Sequence, residues 1–222
     1  MQRRIFCRAF VAVFVSVALI AVPFYSAVAT SGSTVATVGP HSVVPRDCSA
    51  LVSSFPVGRG PFAIAVDREH KKALVANHLD GTVSVVDTVT NTVSATIPHD
   101  VATGIGTIPL AIAVDAAHKQ AYVANNADST VSVVDTVTNK VIKVIPYATG
   151  TGIGKSPYGL AVDEAHNKLF VTNADDDSVS VIDTVTNTVS AVIRYAAGTG
   201  SRRSPIAVAV DPALNKAFVA NF

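Results

Sequence analysis

The sequence predicts an all-β fold made of repeated four-stranded antiparallel sheets. Four prolines lie 48 residues apart, and each begins a short apolar stretch that ends in Asp: Pro61, Pro109, Pro157 and Pro205. Each unit holds four short β-type runs separated by turn residues, and no segment has a helical periodicity long enough to link parallel strands. A fixed period of this length is typical of repeat architectures.

The runs of the first unit justify the antiparallel assignment in order. Residues 62–66 are nearly all apolar, and residues 73–77 form a second apolar run. Residues 82–87 alternate hydroxyl and valine for most of their length, as a strand with two unlike faces should, and residues 92–97 complete the unit. Because the connections are short, neighbouring runs are expected to form hairpins. The second unit is identical to the first at 30 of 48 positions, so it should fold in the same way.

Four antiparallel strands in every 40–50 residues are typical of a β-propeller blade. One sheet cannot bury both of its faces, so each blade should stack on the next, and small residues such as Ala63, Ala65 and Gly159 suit a crowded innermost strand. A β-sandwich is the competing all-β fold, but it would not require near-identical units. The sequence supplies one lone outer strand at residues 50–58, three full blades and two strands of a fourth. We therefore expect about three and a half blades and an incomplete ring.

Two motifs carry a family resemblance. Tyr122-Val-Ala-Asn125 and Phe170-Val-Thr-Asn173, each followed by Thr/Ser-Val-Ser-Val-Val/Ile-Asp-Thr, resemble the YVTN family of β-propeller repeats over residues 61–222. The resemblance implies a propeller that serves as a binding surface, a cell-surface module or, in some members, an enzyme. Closed members of the family carry about seven blades, so the chain is either a fragment of a longer propeller or half of a ring closed by dimerisation. We expect the fragment, with possible self-association through exposed blade edges.

The N-terminus reads as an export signal. Arg3, Arg4 and Arg8 precede an apolar segment at residues 9–22, and Ala27-Val28-Ala29 offers a cleavage site, so residues 1–29 are expected to be a signal peptide. The alternative is an uncut membrane anchor. The paired arginines also resemble a twin-arginine motif. Either export route predicts a periplasmic or secreted protein with a linker at 30–47, a propeller at 48–222 and no membrane span after cleavage.

Cleavage would also change the charge and the cysteine count. Losing Arg3, Arg4 and Arg8 leaves 14 basic against 16 acidic residues, a net charge of −2, so nucleic acid is not an expected partner. Cys48 would be the single remaining cysteine, which precludes an internal disulfide.

Polar residues that recur with the period are interpreted as structural. His70, His118 and His166 could suggest zinc, but equivalent positions on successive blades lie too far apart for one coordination sphere. Asp87 and its copies are expected to cap hairpin turns rather than to act as catalytic carboxylates. The glycine-rich stretch 150–156 resembles a phosphate-binding loop, but an inner strand follows it instead of a helix, so it is expected to be an inter-blade connection.

Function is sought where the copies disagree. The loops after the second and fourth strands of each blade should open on one face, and loops of this kind carry binding residues. The candidate ligand-face residues are His78, Asp80, His99, Asp100, Asn126, Asp128, Tyr147, Lys155, Asp175, Asp176, Asp177, Arg194, Tyr195, Arg202 and Arg203. Residues 175–177 could alternatively hold calcium, although three consecutive acids do not make a recognised site. No catalytic residue, cofactor or metal is predicted.

The favoured function is an exported interaction module whose partner is an unknown protein or small-molecule ligand. One alternative is a lactonase-type propeller hydrolase, for which the sequence supplies few non-repeating acids or histidines. A second alternative is DNA binding through Arg194, Arg202 and Arg203, which predicts an affinity that falls steeply with salt.

Overall fold

The computed structural model describes residues 16–19, 53–194 and 204–222. The predicted linker at 30–47 and the predicted domain boundary at 48 lie outside these residues, as does the predicted signal peptide except for 16–19. The described residues form sixteen β-strands and two short 3₁₀ turns, Glu164–His166 and Pro212–Leu214.

The strands group into sheets in chain order. Two strands lie near the N-terminus, β1 (Ser16–Leu19) and β2 (Ser53–Pro56). The first blade contains β3 (Pro61–Asp67), β4 (Lys72–Asn77), β5 (Thr82–Asp87) and β6 (Thr92–Ile97). The second contains β7 (Pro109–Asp115), β8 (Gln120–Asn125), β9 (Thr130–Asp135) and β10 (Lys140–Ile145). The third contains β11 (Pro157–Asp163), β12 (Lys168–Asn173), β13 (Ser178–Asp183) and β14 (Thr188–Arg194). A partial fourth contains β15 (Pro205–Asp211) and β16 (Lys216–Asn221).

Every strand pair within these sheets is antiparallel, and strand order follows chain order in each blade. The second and third strands are buried on both faces, as in the Ala73–Val75 stretch of β4, whereas the outer strand β6 is largely exposed. This gradient explains why valine and alanine dominate the middle strands while β6 carries threonine and serine.

The first strands of successive blades contact one another, which places β3, β7, β11 and β15 innermost around a common axis. The backbones approach closely there: a Cβ atom on Gly159 would lie 2.7 Å from the Ile206 carbonyl oxygen. This contact confirms the expected crowding at the inner strand. Blades arranged side by side around an axis also exclude the β-sandwich.

The hydrophobic core consists of layers between blades. Leu74 and Val85 of the first blade pack with Val123 and Val134 of the second in one layer. In the next layer, Tyr122 and Val133 pack with Leu169, Val171 and Ile182 of the third blade, and Tyr122 is fully buried. Side chains that alternate along one strand therefore belong to two different layers, as the period-2 pattern of β4 and β8 predicts.

The strand β2 occupies the place of a fourth strand ahead of the first blade. Phe55 and Val57 pack against Ala73, Val75 and Val86, which are fully buried. The predicted lone outer strand is thus confirmed, at Ser53–Pro56 rather than over the longer run. β2 pairs with β1, whose residues fall inside the predicted signal peptide.

Candidate interaction face

The connections between strands divide into two opposite faces. On the first, here called the loop face, the residue after each second strand bonds to the residue before each first strand, as when the His78 amide donates to Gly60 O (2.9 Å) and the Asn126 amide to Ile108 O (3.0 Å). On the second, the turn face, the two hairpin turns of each blade are joined, as when the Thr88 amide donates to Lys71 O (2.9 Å). The expected grouping of the variable loops on one face follows from these bonds.

The recurring histidines lie on the turn face and are structural. The Asp67 carboxylate, fully buried, accepts from the His70 amide (3.0 Å) and contacts the His70 Nδ1 atom at 2.8 Å, and the same geometry repeats at Asp115 and Asp163. Burial opposes ionisation of Asp67, but the hydrogen bonds from His70 outweigh it, so the pKa of Asp67 is lowered. These pairs organise the turn after each first strand.

The Asp residues of the outer hairpins also hold turns. Asp87 Oδ1 accepts from the amides of Val89 (2.7 Å) and Thr90 (2.9 Å), and Asp135 and Asp183 repeat the arrangement. Hydrogen bonds from these amides lower the pKa of all three carboxyls. The turn ends on Asn91 at a φ of 57°, a left-handed conformation that asparagine tolerates.

Three of the predicted ligand-face acids recur with the 48-residue period and link each loop to the preceding connection. Asp80 accepts from the Arg59 amide (2.7 Å) and pairs with its guanidinium Nε (2.6 Å), Asp128 accepts from the Thr107 amide (2.5 Å), and Asp176 from the Lys155 amide (2.9 Å). Asp80, Asp128 and Asp176 thus repeat with the period, which corrects the prediction that the candidate residues lie where the copies disagree. The bonds from Arg59 lower the pKa of Asp80. Ligand contact by these acids stays a prediction.

The remaining candidates of the first blade shape their own loops. The His78 Nδ1 atom lies 2.7 Å from Gly60 O, and its ring meets Phe62 edge-on at 5.7 Å. The His99 Nδ1 atom lies 3.0 Å from Ile105 O. The Asp100 carboxylate accepts from the Thr103 hydroxyl (2.6 Å) and amide (3.1 Å), and these bonds lower its pKa.

The candidates of the later blades divide between half-buried contacts and exposed tips. Asn126 donates to Pro157 O (3.3 Å), and Asp177 accepts from the Ser204 amide (2.9 Å). The Lys155 ammonium lies 5.9 Å from the centre of the Tyr147 ring, a cation–π contact on the loop face. Asp175 accepts from the Ser156 hydroxyl.

The basic candidates are described only in part. Arg194 ends β14 and is exposed, beside a cleft of about 300 Å³ between the third and fourth blades. Tyr195, Arg202 and Arg203 lie outside the described residues. The grouping of these four basic and aromatic residues therefore stays a prediction.

Sequence reasoning missed three apolar side chains that the loop face exposes. Leu79, Val101 and Ile108 are 65%, 54% and 38% exposed. The equivalent positions in the other copies carry Ala127 and Asp175, Thr149, and Ser156 and Ser204. Ile108 has a φ of 53°, an unusual conformation for a β-branched residue. An alignment of the repeats could have identified all three.

Within the described ranges, no group of three or more His, Cys, Asp or Glu side chains is placed to hold a metal ion. Those residues also contain no helix long and apolar enough to cross a membrane.

Comparison with known proteins supports the fold. No protein-family model and no curated protein matches the sequence. Among solved structures, the hydrazine synthase of Kuenenia stuttgartiensis matches with a TM-score of 0.58 and 24% identity, over 69% of this chain and 40% of that one. The structures of U3-55K and of the RRP9 WD40 repeats match with a TM-score of 0.57, at 14% and 15% identity, over 68% of this chain and 42% of theirs.

The chain thus spans less than half the length of each of these structures. At such identities the likeness concerns the fold. Together with the antiparallel blades and the innermost ring of first strands, it shows that the described residues form an open β-propeller of three complete blades and a partial fourth.

Proposed function

We propose that this chain is an exported interaction module of the YVTN-repeat type. In this proposal it forms part of a larger propeller and binds a protein or small-molecule ligand through its loop face. The observation that carries the proposal is a set of three exposed apolar side chains on the loop face, Leu79, Val101 and Ile108, hereafter called the loop-face patch. Its members are exposed on the same face and are large and apolar in only one copy of the repeat.

The repeat itself does not require these side chains. The other blades fold with alanine, aspartate, threonine or serine at the equivalent positions, so packing does not explain the three apolar residues. Exposed apolar groups that the fold does not need are typical of interaction surfaces. The positive φ of Ile108 adds a backbone cost of about 1–2 kcal/mol, which a role in binding would explain.

Other groups on the loop face suggest the chemistry of the ligand. The cation–π pair of Lys155 and Tyr147 lies on the same face, and Asp80, Asp128 and Asp176 are already engaged by backbone amides. Such a face suits a partner that presents apolar side chains together with an acidic or aromatic group.

The test uses residues that the repeat already accepts. The triple variant Leu79→Ala, Val101→Thr, Ile108→Ser should keep the fold, since each new side chain occurs at that position in another blade. Immobilised wild-type chain and the variant are compared for proteins and small molecules retained from periplasmic and culture fractions. We expect a ligand that the wild type retains and the triple variant loses by at least about tenfold.

A matched control on the turn face separates binding from general stickiness. Val89 and Val137 are 67% and 51% exposed there, and a Val89→Thr, Val137→Thr variant should retain the same ligand. Equal retention by wild type and triple variant would refute the proposal, as would retention of nothing by either.

Export has its own test, because removal of residues 1–29 and pairing of β1 with β2 exclude each other. N-terminal sequencing of chain recovered from the periplasm or medium should begin near Thr30. A chain that keeps residues 16–19 and stays in the cytoplasm would contradict export.

A further inference from the structure

Neighbouring blades make polar contacts on the turn face, and one that involves a charged side chain joins the first two blades. The Lys72 ammonium of the first blade donates to Thr136 O (2.6 Å), Val137 O (3.3 Å) and Asn139 Oδ1 (2.9 Å) in the outer hairpin turn of the second blade. Each second strand thus reaches forward to oxygen atoms of the following blade.

The next pair of blades repeats the contact with different chemistry. The Tyr122 hydroxyl lies 2.8 Å from Asn187 Oδ1 and 3.5 Å from Thr184 O in the turn of the third blade, and 2.8 Å from Gln120 Oε1 of its own strand. Burial raises the pKa of Tyr122, so the phenol stays protonated and acts as a donor. The turn of each following blade is therefore an oxygen cradle for a donor from the blade before it.

The first blade carries the same cradle at residues 88–91, but it receives no donor from the described part of the chain. Asn91 Oδ1 is buried and has no hydrogen-bond partner there, whereas its counterparts Asn139 and Asn187 each accept one. A buried carbonyl oxygen without a donor is costly, which makes this turn the receiving half of an unfilled contact.

The inner strand β3 of the first blade is also more exposed than its counterparts in the next two blades. Phe62 and Val66 of the inner strand β3 are 45% and 46% exposed, whereas their counterparts in the second and third blades are half-buried.

The partial fourth blade carries the donating half. Lys216 occupies the position of Lys72 three periods later, and Phe218 occupies that of Tyr122. Ala217 and Val219 line the cleft against the third blade, so Lys216 and Phe218 lie on the opposite side of β16. Phe218 is 59% exposed there.

We propose that a second copy of this chain docks head to tail on the first blade. The β15–β16 sheet of one copy lies against the exposed strand β3 of the other, with the Lys216 ammonium in the cradle of residues 88–91 and Phe218 next to Phe62 and Val66. The contact continues the interfaces that the chain already makes between its own blades. It also places β16 on the same side of the first blade as β2, which already occupies a fourth-strand position. A head-to-tail contact builds either a closed ring or a filament.

The experiment is sedimentation velocity of the purified chain over a wide concentration range. We expect reversible dimers or larger assemblies. Lys216→Met and Asn91→Ala should each weaken assembly by roughly tenfold or more, because a charge-assisted hydrogen bond to a buried oxygen is lost. Asn91→Asp should strengthen it, since a carboxylate faces the ammonium. Lys140→Met, on the exposed outer strand of the second blade, is the matched control and should leave assembly unchanged.

Photo-cross-linking locates the contact independently of stability. Phe218→p-benzoylphenylalanine should cross-link to residues 62–91 of another copy in a mixture of isotopically labelled and unlabelled chains. A chain that stays monomeric at every concentration, assembly unaffected by Lys216→Met, or cross-links that map elsewhere would each overturn the proposal. The loop-face triple variant should assemble normally, so the two proposals fail separately.

Discussion

Ile108 shows at the scale of a single residue how the structure separates fold from function. Its φ of 53° is shared by Ser156, and Ser204 has a φ of 33°, so the backbone of this connection is common to all copies. Only Ile108 places a β-branched side chain on it. The sequence contained this difference, but the free-energy cost of a left-handed backbone at Ile108 became evident only from its φ angle.

Replacing Ile108 should therefore stabilise the fold. We expect Ile108→Asn to raise the free energy of unfolding by about 1 kcal/mol, because asparagine tolerates a left-handed backbone and little buried surface is lost. Urea denaturation measures this change. The control Val101→Asn, at another exposed position of the loop-face patch, should shift stability by less than about 0.5 kcal/mol. Destabilisation by Ile108→Asn would show that the side chain is needed for packing.

Asp135 gives a prediction about pH. Hydrogen bonds from the amides of Thr138 and Val137 lower its pKa in the folded chain. The stabilisation is present above the unfolded value of about 3.9 and is lost as pH falls through the folded pKa. Asp135→Asn keeps an oxygen that accepts from the same amides but does not titrate there.

The variant should accordingly show a shallower loss of stability between about pH 5 and pH 3 than the wild type. Denaturant midpoints at a series of pH values measure the slope. Glu69→Gln, which removes an exposed carboxylate on the same face, serves as the control. An identical slope in Asp135→Asn and wild type would mean that this turn does not contribute to acid unfolding.

At the scale of the element, strand positions followed closely from the period. The predicted runs 73–77, 82–87 and 92–97 correspond to Lys72–Asn77, Thr82–Asp87 and Thr92–Ile97. Local alternation and turn chemistry suffice for this, because every blade repeats them. The sequence did not reveal the role of Lys72 and Tyr122. Each bonds to an asparagine of the next blade, 67 and 65 residues further along the chain, and a contact over that distance has no local sequence signature.

The contact between the second and third blades can be tested through Tyr122. Tyr122→Phe should lower the free energy of unfolding by about 1–3 kcal/mol, because Asn187 Oδ1 loses its donor in a buried site. Guanidinium denaturation measures the loss. Tyr147→Phe removes an exposed hydroxyl that bonds only to Thr149 in the described structure and should change stability by less than about 0.5 kcal/mol.

Alkaline pH offers a second readout of the same contact. The pKa of Tyr122 is raised by burial, so its contribution is complete below the ordinary tyrosine value of about 10 and is lost as pH rises through the folded pKa. Tyr122→Phe should lack this alkaline loss of stability. An equal loss of stability at alkaline pH in wild type and Tyr122→Phe would contradict this prediction.

For the whole molecule, the architecture was predictable from the sequence, whereas the contacts of the candidate site residues were not. The 48-residue period gave the blade, the inner strand and the open ring, because each follows from repetition. The loops that carry the candidate residues do share one face, but that face's role in binding stays a prediction, and acids such as Asp128 link neighbouring connections. Hydrogen bonding to a distant backbone amide has no local sequence signature, so the sequence could not separate these acids from ligand-binding ones.

The open arc also predicts an uneven distribution of stability. Strands β8 and β9 are buried on both faces by neighbouring blades, whereas β16 pairs with β15 alone among the described strands and exposes Phe218. Amide protection follows such contacts, so hydrogen exchange measured by mass spectrometry in dilute solution should be slowest in β8–β9 and fastest in β16. Raising the protein concentration should slow exchange in β16 and in residues 88–91 together, because docking of a second copy covers both. Equally slow exchange in every blade at low concentration would instead show that the arc unfolds as one cooperative unit.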